Sequence, residues 1–357
     1  MINVTKTFLP PQDEYQAILK RAWLNGWITN RGELVKELED KLKRHLNTPN
    51  IICMTNGTLP IQIAIKALAL KGEIITTPFS YVATTSSIVW EGCKPVFVDI
   101  HPEYLTIDET KIEAAITERT SAILATHVFG NPCNVDAIKA IALKYNLKVI
   151  YDAAHCFGVT YNGKSIFQYG DINTCSFHAT KLFHTGEGGA IIFKDKDLYN
   201  DLYYHHNFGH DGQENFFGLG INAKMSELQA AMGLAVFPYL SSILENRKRI
   251  VDFYNEQLYD TGLKFLKLRD KTHWNYSYYP VIFQNEAQLL KAVKALNSEN
   301  IFPRRYFYPS LDNLPYIKNQ YCEISNTIAA SILCLPLYDD LTEKEQINII
   351  ELIKTNV

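Results

Sequence analysis

Three things this chain lacks each close off a class of function: an excess of basic charge, a paired cysteine spacing, and a leading apolar run. Lys and Arg number 35 against 38 Asp and Glu, a net charge of −3, so no general positive field is available to attract a nucleic acid backbone. Any attraction for a nucleotide diphosphate has to be local. The seven cysteines, Cys53, Cys93, Cys133, Cys156, Cys175, Cys322 and Cys334, are odd in number, scattered, and nowhere spaced CxxC. That pattern supports neither a disulfide framework nor a zinc site, and predicts reduced, mostly packed thiols in a cytoplasmic protein. Met1 to Pro11 has no basic stretch followed by a long apolar run, which predicts no signal peptide and no membrane span. Internal repeats and low-complexity linkers are also absent.

What is present is enough apolar material for a large core, 47% of 357 residues, which predicts a major domain over 1–240 and a smaller one over 241–357. Helical patterns run from Asp13 to Asn25 and from Glu33 to Leu46. The middle then alternates strands with helices: strands at Asn50 to Met54, Ile74 to Thr77, Pro95 to Asp99, Ala122 to Thr126 and Lys148 to Tyr151, with a helix from Val135 to Tyr145. Such alternation implies a mostly parallel sheet carrying its site at the strand ends. After Asn222 come a long helical segment through Leu258, a strand over Tyr276 to Phe283, and helices at Glu286 to Glu299 and Glu343 to Lys354, a small α+β unit.

Two residues fall where that rule places ligands. Asp152 follows the strand Lys148-Val149-Ile150-Tyr151, and Lys181 ends the run Ser176-Phe177-His178-Ala179-Thr180-Lys181, just before the Gly-rich turn at Gly186 to Gly189 and a further strand to Phe193. A strand-end amine and a strand-end carboxylate in one crevice are what a pyridoxal phosphate enzyme requires. The amine holds the cofactor as an imine, and the carboxylate keeps the pyridine nitrogen protonated so that the ring accepts electrons. Taken singly, the Asp is as readily a helix cap and the Lys a solvated charge. A third element favours the chemical reading. Thr55-Asn56-Gly57-Thr58 breaks a buried strand into a helix with Pro60 in its first turn, and free amides, the Thr58 hydroxyl and the helix dipole there suit a dianion. Ser176 offers a second hydroxyl for the same phosphate.

With these residues the chain resembles the DegT/DnrJ/EryC1/StrS sugar aminotransferases. The likeness runs through Gly26 to Thr29, Asn56-Gly57-Thr58, Pro78 to Tyr81, His127 to Pro132, Asp152 to His155, Ser176 to Lys181, Gly186 to Gly189 and Gly220 to Met225. The resemblance implies the aspartate aminotransferase fold (fold type I), an α/β large domain plus a small α+β domain. It implies pyridoxal 5'-phosphate held by Lys181, with pyridoxamine phosphate between two half-reactions, L-glutamate as amino donor and a nucleotide-linked keto sugar as acceptor. Tyr81 takes the role of stacking on the ring, and His155, where many members carry glutamine, stands beside its phenolic oxygen. Asn222 reaches the phosphate of a neighbouring subunit, which implies a homodimer with shared sites. Lys224 stands where the family has arginine, keeping the charge but losing the planar fork.

For the acceptor, Arg304-Arg305-Tyr306-Phe307-Tyr308-Pro309 combines guanidinium groups with aromatics able to hold phosphate and stack a base or sugar, or forms an interdomain loop with solvated arginines. Thr29, His184, Lys224, Arg304, Tyr306 and Tyr308 are the candidate substrate contacts. The loop Ala179 to Gly189 is similar to that of members aminating carbon 4 of a 4-keto-6-deoxyhexose, and implies dTDP-4-keto-6-deoxy-D-glucose going to dTDP-4-amino-4,6-dideoxy-D-glucose. Amination at carbon 3, a UDP-linked substrate, a dehydratase and a non-catalytic regulator of the same fold are the rivals. The related dehydratase replaces the imine lysine with histidine, so Lys181 argues against it, and a regulator would tend to lose Asp152, Lys181 or the phosphate site. His205 to His210 invite a metal reading, but pyridoxal chemistry needs no metal and loop histidines more often hydrogen-bond.

Overall fold

The computed structural model describes residues 1–357. Seven strands build a central sheet: β1 (Asn50–Met54), β2 (Glu73–Thr76), β3 (Lys94–Phe97), β4 (Thr120–Thr126), β5 (Lys148–Asp152), β6 (Ile172–Ser176) and β7 (Gly189–Phe193). Their spatial order is β1-β7-β6-β5-β4-β2-β3. β7 runs antiparallel to both its neighbours, and the other pairings are parallel. Parallel strands need crossovers, which cover the sheet with helices. Along the chain these and their neighbours are α1 (Gln12–Asn25), α2 (Glu33–His45), α3 (Leu59–Ala67), α4 (Val82–Trp90), α5 (Val135–Tyr145), α6 (Leu198–His206) and α7 (Glu227–Val236).

Both faces of the sheet are buried, which is why its strands read as nearly unbroken apolar runs. Ile51 and Cys53 of β1 join a core with Leu34, Leu38 and Leu42 of α2, while Ile52 and Met54 point the other way, to Ile61 and Ile63 of α3. All seven cysteines are free and buried. A second, antiparallel sheet follows α8 (Leu240–Leu258): β8 (Lys264–Phe265), β9 (Tyr279–Ile282) and, after α9 (Glu286–Ser298) and α10 (Glu323–Ser331), β10 (Ile332–Leu335), in the order β8-β9-β10. With α11 (Glu343–Asn356) it encloses its own core. The buried face of α8 is divided, with Leu240 and Ile243 in the large core and Ile250, Val251 and Tyr254 in the C-terminal one.

The sequence reading missed α4, α6 and α10. α4, Val82-Ala83-Thr84-Thr85-Ser86-Ser87-Ile88-Val89-Trp90, is rich in β-branched and hydroxyl residues, and burial of Thr84, Thr85, Ser87 and Ile88 overrides its poor helix propensity. The strand expected from Tyr276 starts at Tyr279, because Tyr276 sits at φ 53°, where no strand continues. The run Glu227–Leu258, taken through the short turn at Phe237–Tyr239, is long and apolar enough to cross a membrane by length and composition alone; 50% of its most apolar window is buried inside the fold.

Candidate active site

The carboxyl ends of β1, β5 and β6 open into a cavity of 380 Å³. Gly57, Thr58, Tyr81, Asp152, His155, Ser176 and Lys181 all line it, as do Arg304 and Tyr306 from beyond α8. Residues far apart in the chain thus meet where the topology places a ligand.

One wall is a cradle of small side chains. A Cβ on Gly57 would come within 2.8 Å of Ser176 Cβ, so only glycine lets the β1–α3 turn approach β6 this closely. Thr58, at the N-cap position of α3, makes no capping bond. Asn56 does so instead, its Oδ1 accepting from the amides of Thr58 and Leu59, both at 2.9 Å. The Thr58 hydroxyl is thereby left to the cavity, facing the same space as Ser176. A helix start with two hydroxyls and a Cβ-free turn fits a phosphate.

Asp152, the last residue of β5, is 5% exposed. Its Oδ2 accepts from Thr84 Oγ1 at 2.6 Å and its Oδ1 from the Ala154 amide at 3.1 Å. Burial raises its pKa, and the Thr84 hydroxyl, the Ala154 amide and the Lys181 charge pull it down. The Thr84 hydroxyl is itself held, 2.8 Å from Ser80 Oγ, which lies 3.0 Å from Thr126 Oγ1. A buried carboxylate braced in this way can keep a pyridinium nitrogen charged.

Across the cavity, Lys181 Nζ donates to the Tyr278 phenol oxygen at 3.3 Å. Burial lowers its pKa, opposed by Tyr306 and Asp152, which favours the neutral, nucleophilic amine. Burial pushes both Tyr278 and Tyr306 up to about 12, so they remain phenols. His155 accepts the Phe129 amide on Nδ1 at 3.1 Å. That bond fixes the proton on Nε2, making the ring a neutral donor, and burial, with Lys181 nearby, holds its pKa well below the usual imidazole range. Phe307 stacks on it at 5.8 Å.

The remaining sequence candidates lie elsewhere. His184 is buried outside the cavity, one ring nitrogen 2.6 Å from the Phe8 carbonyl and the other accepting from the Gly186 amide at 3.2 Å. Both nitrogens are engaged, so it tethers the N-terminal segment and has nothing left for a substrate, contrary to expectation. Thr29 and Asn222 are exposed and do not line the cavity, nor does Lys224, whose Nζ donates to Asn222 Oδ1 at 2.8 Å. Tyr308 also falls outside, 52% exposed beneath the Arg305 guanidinium at 3.5 Å from its ring. Ser226, with Gln229, caps α7 in a capping box. His205 and His206 each bond a backbone carbonyl, of Leu219 and Tyr203. Thr84 and Tyr278 were missed. Both approach from distant elements, and nothing in their local pattern marks them.

A model of the DegT/DnrJ/EryC1/StrS aminotransferase family matches residues 11–354. The chain is similar to a dTDP-4-amino-4,6-dideoxy-D-glucose transaminase of Shigella dysenteriae, 41% identical over 96% of this chain and 95% of that protein. A transaminase of the same name from Escherichia coli is 38% identical over 99% of this chain and 98% of its own. Among solved structures, DesI in the presence of its TDP-sugar product superposes with a TM-score of 0.94 at 30% identity, covering 99% of this chain and 92% of that one.

Proposed function

This chain belongs to the DegT/DnrJ/EryC1/StrS aminotransferase family, and from that premise we propose that it transfers an amino group from L-glutamate to a nucleotide-linked 4-keto-6-deoxyhexose. The substrate we infer is dTDP-4-keto-6-deoxy-D-glucose and the product dTDP-4-amino-4,6-dideoxy-D-glucose, the reaction named by the Shigella and Escherichia relatives. The observation that carries the reading is the meeting of Lys181, Asp152 and the Gly57–Thr58–Ser176 cradle around one cavity. Pyridoxal phosphate bound there would supply an electron-accepting ring that stabilises charge at a substrate carbon.

The rest falls to the chain's own side chains. Lys181 holds the cofactor through Nζ and, once released, moves a proton to and from carbon. Asp152 keeps the ring nitrogen protonated. Thr58 and Ser176 would hold the phosphate, Tyr81 would restrain the ring face, and His155 would offer Nε2–H to the phenolic oxygen. Arg304 and Tyr306, on the opposite wall, take the sugar nucleotide. We further propose a division near residue 240, inside α8, and a homodimer in which Asn222 and Lys224 serve the partner's site. Trp23 and Leu24 at the end of α1, Trp27 and Ile28 just after it, and Phe216, Phe217 and Leu219 further on, are exposed apolar side chains that favour a covered face.

Purified protein supplied with pyridoxal phosphate, glutamate and a panel of keto sugar nucleotides tests this. Release of 2-oxoglutarate with dTDP-4-keto-6-deoxyglucose, and NMR placing the amine on carbon 4, is the expected result. A product aminated at carbon 3 would leave the aminotransferase and overturn the regiochemistry. Absence of turnover by Lys181→Ala is expected, and turnover at the wild-type rate would overturn the assignment.

A further inference from the structure

The position of the proton on His155 is set from outside its own loop. Phe129, in the loop after β4, donates its amide to His155 Nδ1 at 3.1 Å, and an amide only donates, so the ring hydrogen is left on Nε2. Phe129 is itself held at φ 57°, a left-handed backbone that a bulky residue keeps only where its surroundings over-determine it. Those surroundings are one segment just ahead of β9. Trp274 Nε1 and Ser277 Oγ both donate to the Phe129 carbonyl, at 2.7 and 2.8 Å. Between them in the chain, Asn275 Nδ2 donates to the carbonyls of His155 and Phe157, each at 2.9 Å. The same strap thus fastens the loop that carries the ring and the loop that carries its donor. It closes tightly over Gly130, where a Cβ would stand 2.7 Å from Asn275 Oδ1 and 3.1 Å from Trp274 Nε1. Behind it, the buried Arg247 of α8 donates Nη1 to the carbonyls of Tyr276 at 3.0 Å and Ser277 at 3.2 Å.

We propose that Trp274, Asn275 and Ser277 are positioning residues, a strap that holds Phe129 so that His155 presents Nε2–H, and not a bare nitrogen, to the phenolic oxygen of the cofactor. The inference rests on the function proposed above. Without the two bonds to its carbonyl, Phe129 is free to return to negative φ, its amide turns away from Nδ1, and the ring can carry its hydrogen on either nitrogen. With the hydrogen on Nδ1, Nε2 would aim a lone pair at an oxygen that itself carries negative charge. Attraction then becomes repulsion. Because the strap lies beyond α8, the part of the chain that follows α8 takes a share in setting the electronics of a ring held by the central sheet.

The test reads the tautomer directly, by nitrogen NMR of cofactor-free protein carrying isotope-labelled histidine, at a pH above the ordinary histidine value of about 6.5. Wild type should show His155 in the Nε2–H form alone. Trp274→Phe combined with Ser277→Ala removes both donors to the Phe129 carbonyl, and the Nδ1–H form of His155 should then appear. His127, which accepts the Cys133 amide on Nδ1 at 2.9 Å, is the reference in the same spectrum and should keep its tautomer. No change in either histidine overturns the strap, and so does a change in both, which would be a general disturbance of the fold. Ser277→Ala alone, which loses one hydroxyl, carries the same test where the double variant does not fold, and is held to the same outcomes. With cofactor bound, loss of the hydrogen bond to the phenolic oxygen should lower kcat about tenfold while KM for glutamate stays nearly unchanged. A kcat as in wild type, or a rise in KM alone, overturns the role. Wild type that shows the Nε2–H form yet takes up no pyridoxal phosphate and transaminates no glutamate would sink the aminotransferase reading and leave the strap without a purpose, whereas an active wild type beside variants with an unchanged tautomer sinks the strap alone.

Discussion

Asp152 is buried, yet the role proposed for it requires charge, so its neighbours decide whether it works. Replacing Thr84 by valine removes the 2.6 Å bond to Oδ2 and leaves the Ala154 amide as its remaining hydrogen-bond donor. A hydrogen bond to a charged group contributes about 1.5–3 kcal/mol, so kcat should fall by roughly ten- to a hundredfold, with cofactor affinity nearly kept. A kcat unchanged in Thr84→Val would remove the brace from the mechanism. His127 makes a different kind of demand. It is fully buried, accepts the Cys133 amide on Nδ1 at 2.9 Å, and burial holds its pKa at about 3. The folded pKa lies below the unfolded one, so the folded state binds fewer protons, and stability present above the ordinary histidine pKa is lost as pH falls towards 3. Denaturant titrations should show stability dropping by about 1.4 kcal/mol per pH unit from this group across that window. The slope should flatten in His127→Asn, and an equal slope in both proteins would count against it. Asp152, which ends β5, and Lys181, in the turn that follows β6, were legible because period and punctuation fix where a strand stops. Thr84 and Tyr278 were not, since each meets its partner across 68 and 97 residues of chain, a contact that only the folded sheet creates.

The α2 helix lacks its own cap. Gly32 precedes it without a side chain to offer, and Glu227, at the start of α7, reaches over so that its carboxylate accepts from the amides of Leu34 at 2.7 Å and Val35 at 3.2 Å. One helix therefore supplies the negative charge that another helix's N-terminus favours. Gly32 is required for it, because a Cβ there would stand 2.7 Å from the Glu227 carboxyl carbon. Glu227→Ala should lower stability by about 1–3 kcal/mol, and Gly32→Ala should also destabilise. Calorimetry that finds both variants as stable as wild type would refute this capping. Sequence patterns located α2, α5, α9 and α11 closely, because their apolar faces repeat at helical spacing. They gave no sign that a glutamate nearly two hundred residues away ends one of them, and Asn56, not Thr58, caps α3 because the choice depends on how the turn is held against Ser176.

For the whole molecule, the alternating order of elements was enough to place a mostly parallel sheet with its site at the strand ends. The reversed strand β7 was not readable, since strand direction is set by partners and not by pattern. The proposed dimer has a direct check. Lys181→Ala and Asn222→Ala protomers, each inactive alone, should recover about a quarter of wild-type activity when mixed and refolded in equal amounts, because hybrid dimers hold one intact site. No recovery from two inactive parents, or a monomer in solution, would argue against shared sites. The position of β7 also bears on how the chain is made. β1, beginning at residue 50, has no sheet partner except β7, which begins at residue 189. On the ribosome, the strand that leads into the Gly57 turn therefore waits, unpaired and apolar on both faces, until almost two hundred residues have been synthesised. Such long-range closure is slow and leaves an open edge during synthesis. A chain stalled before β7 emerges should hold β1 as a protease-sensitive, chaperone-bound segment, and release of only a few more residues should protect it.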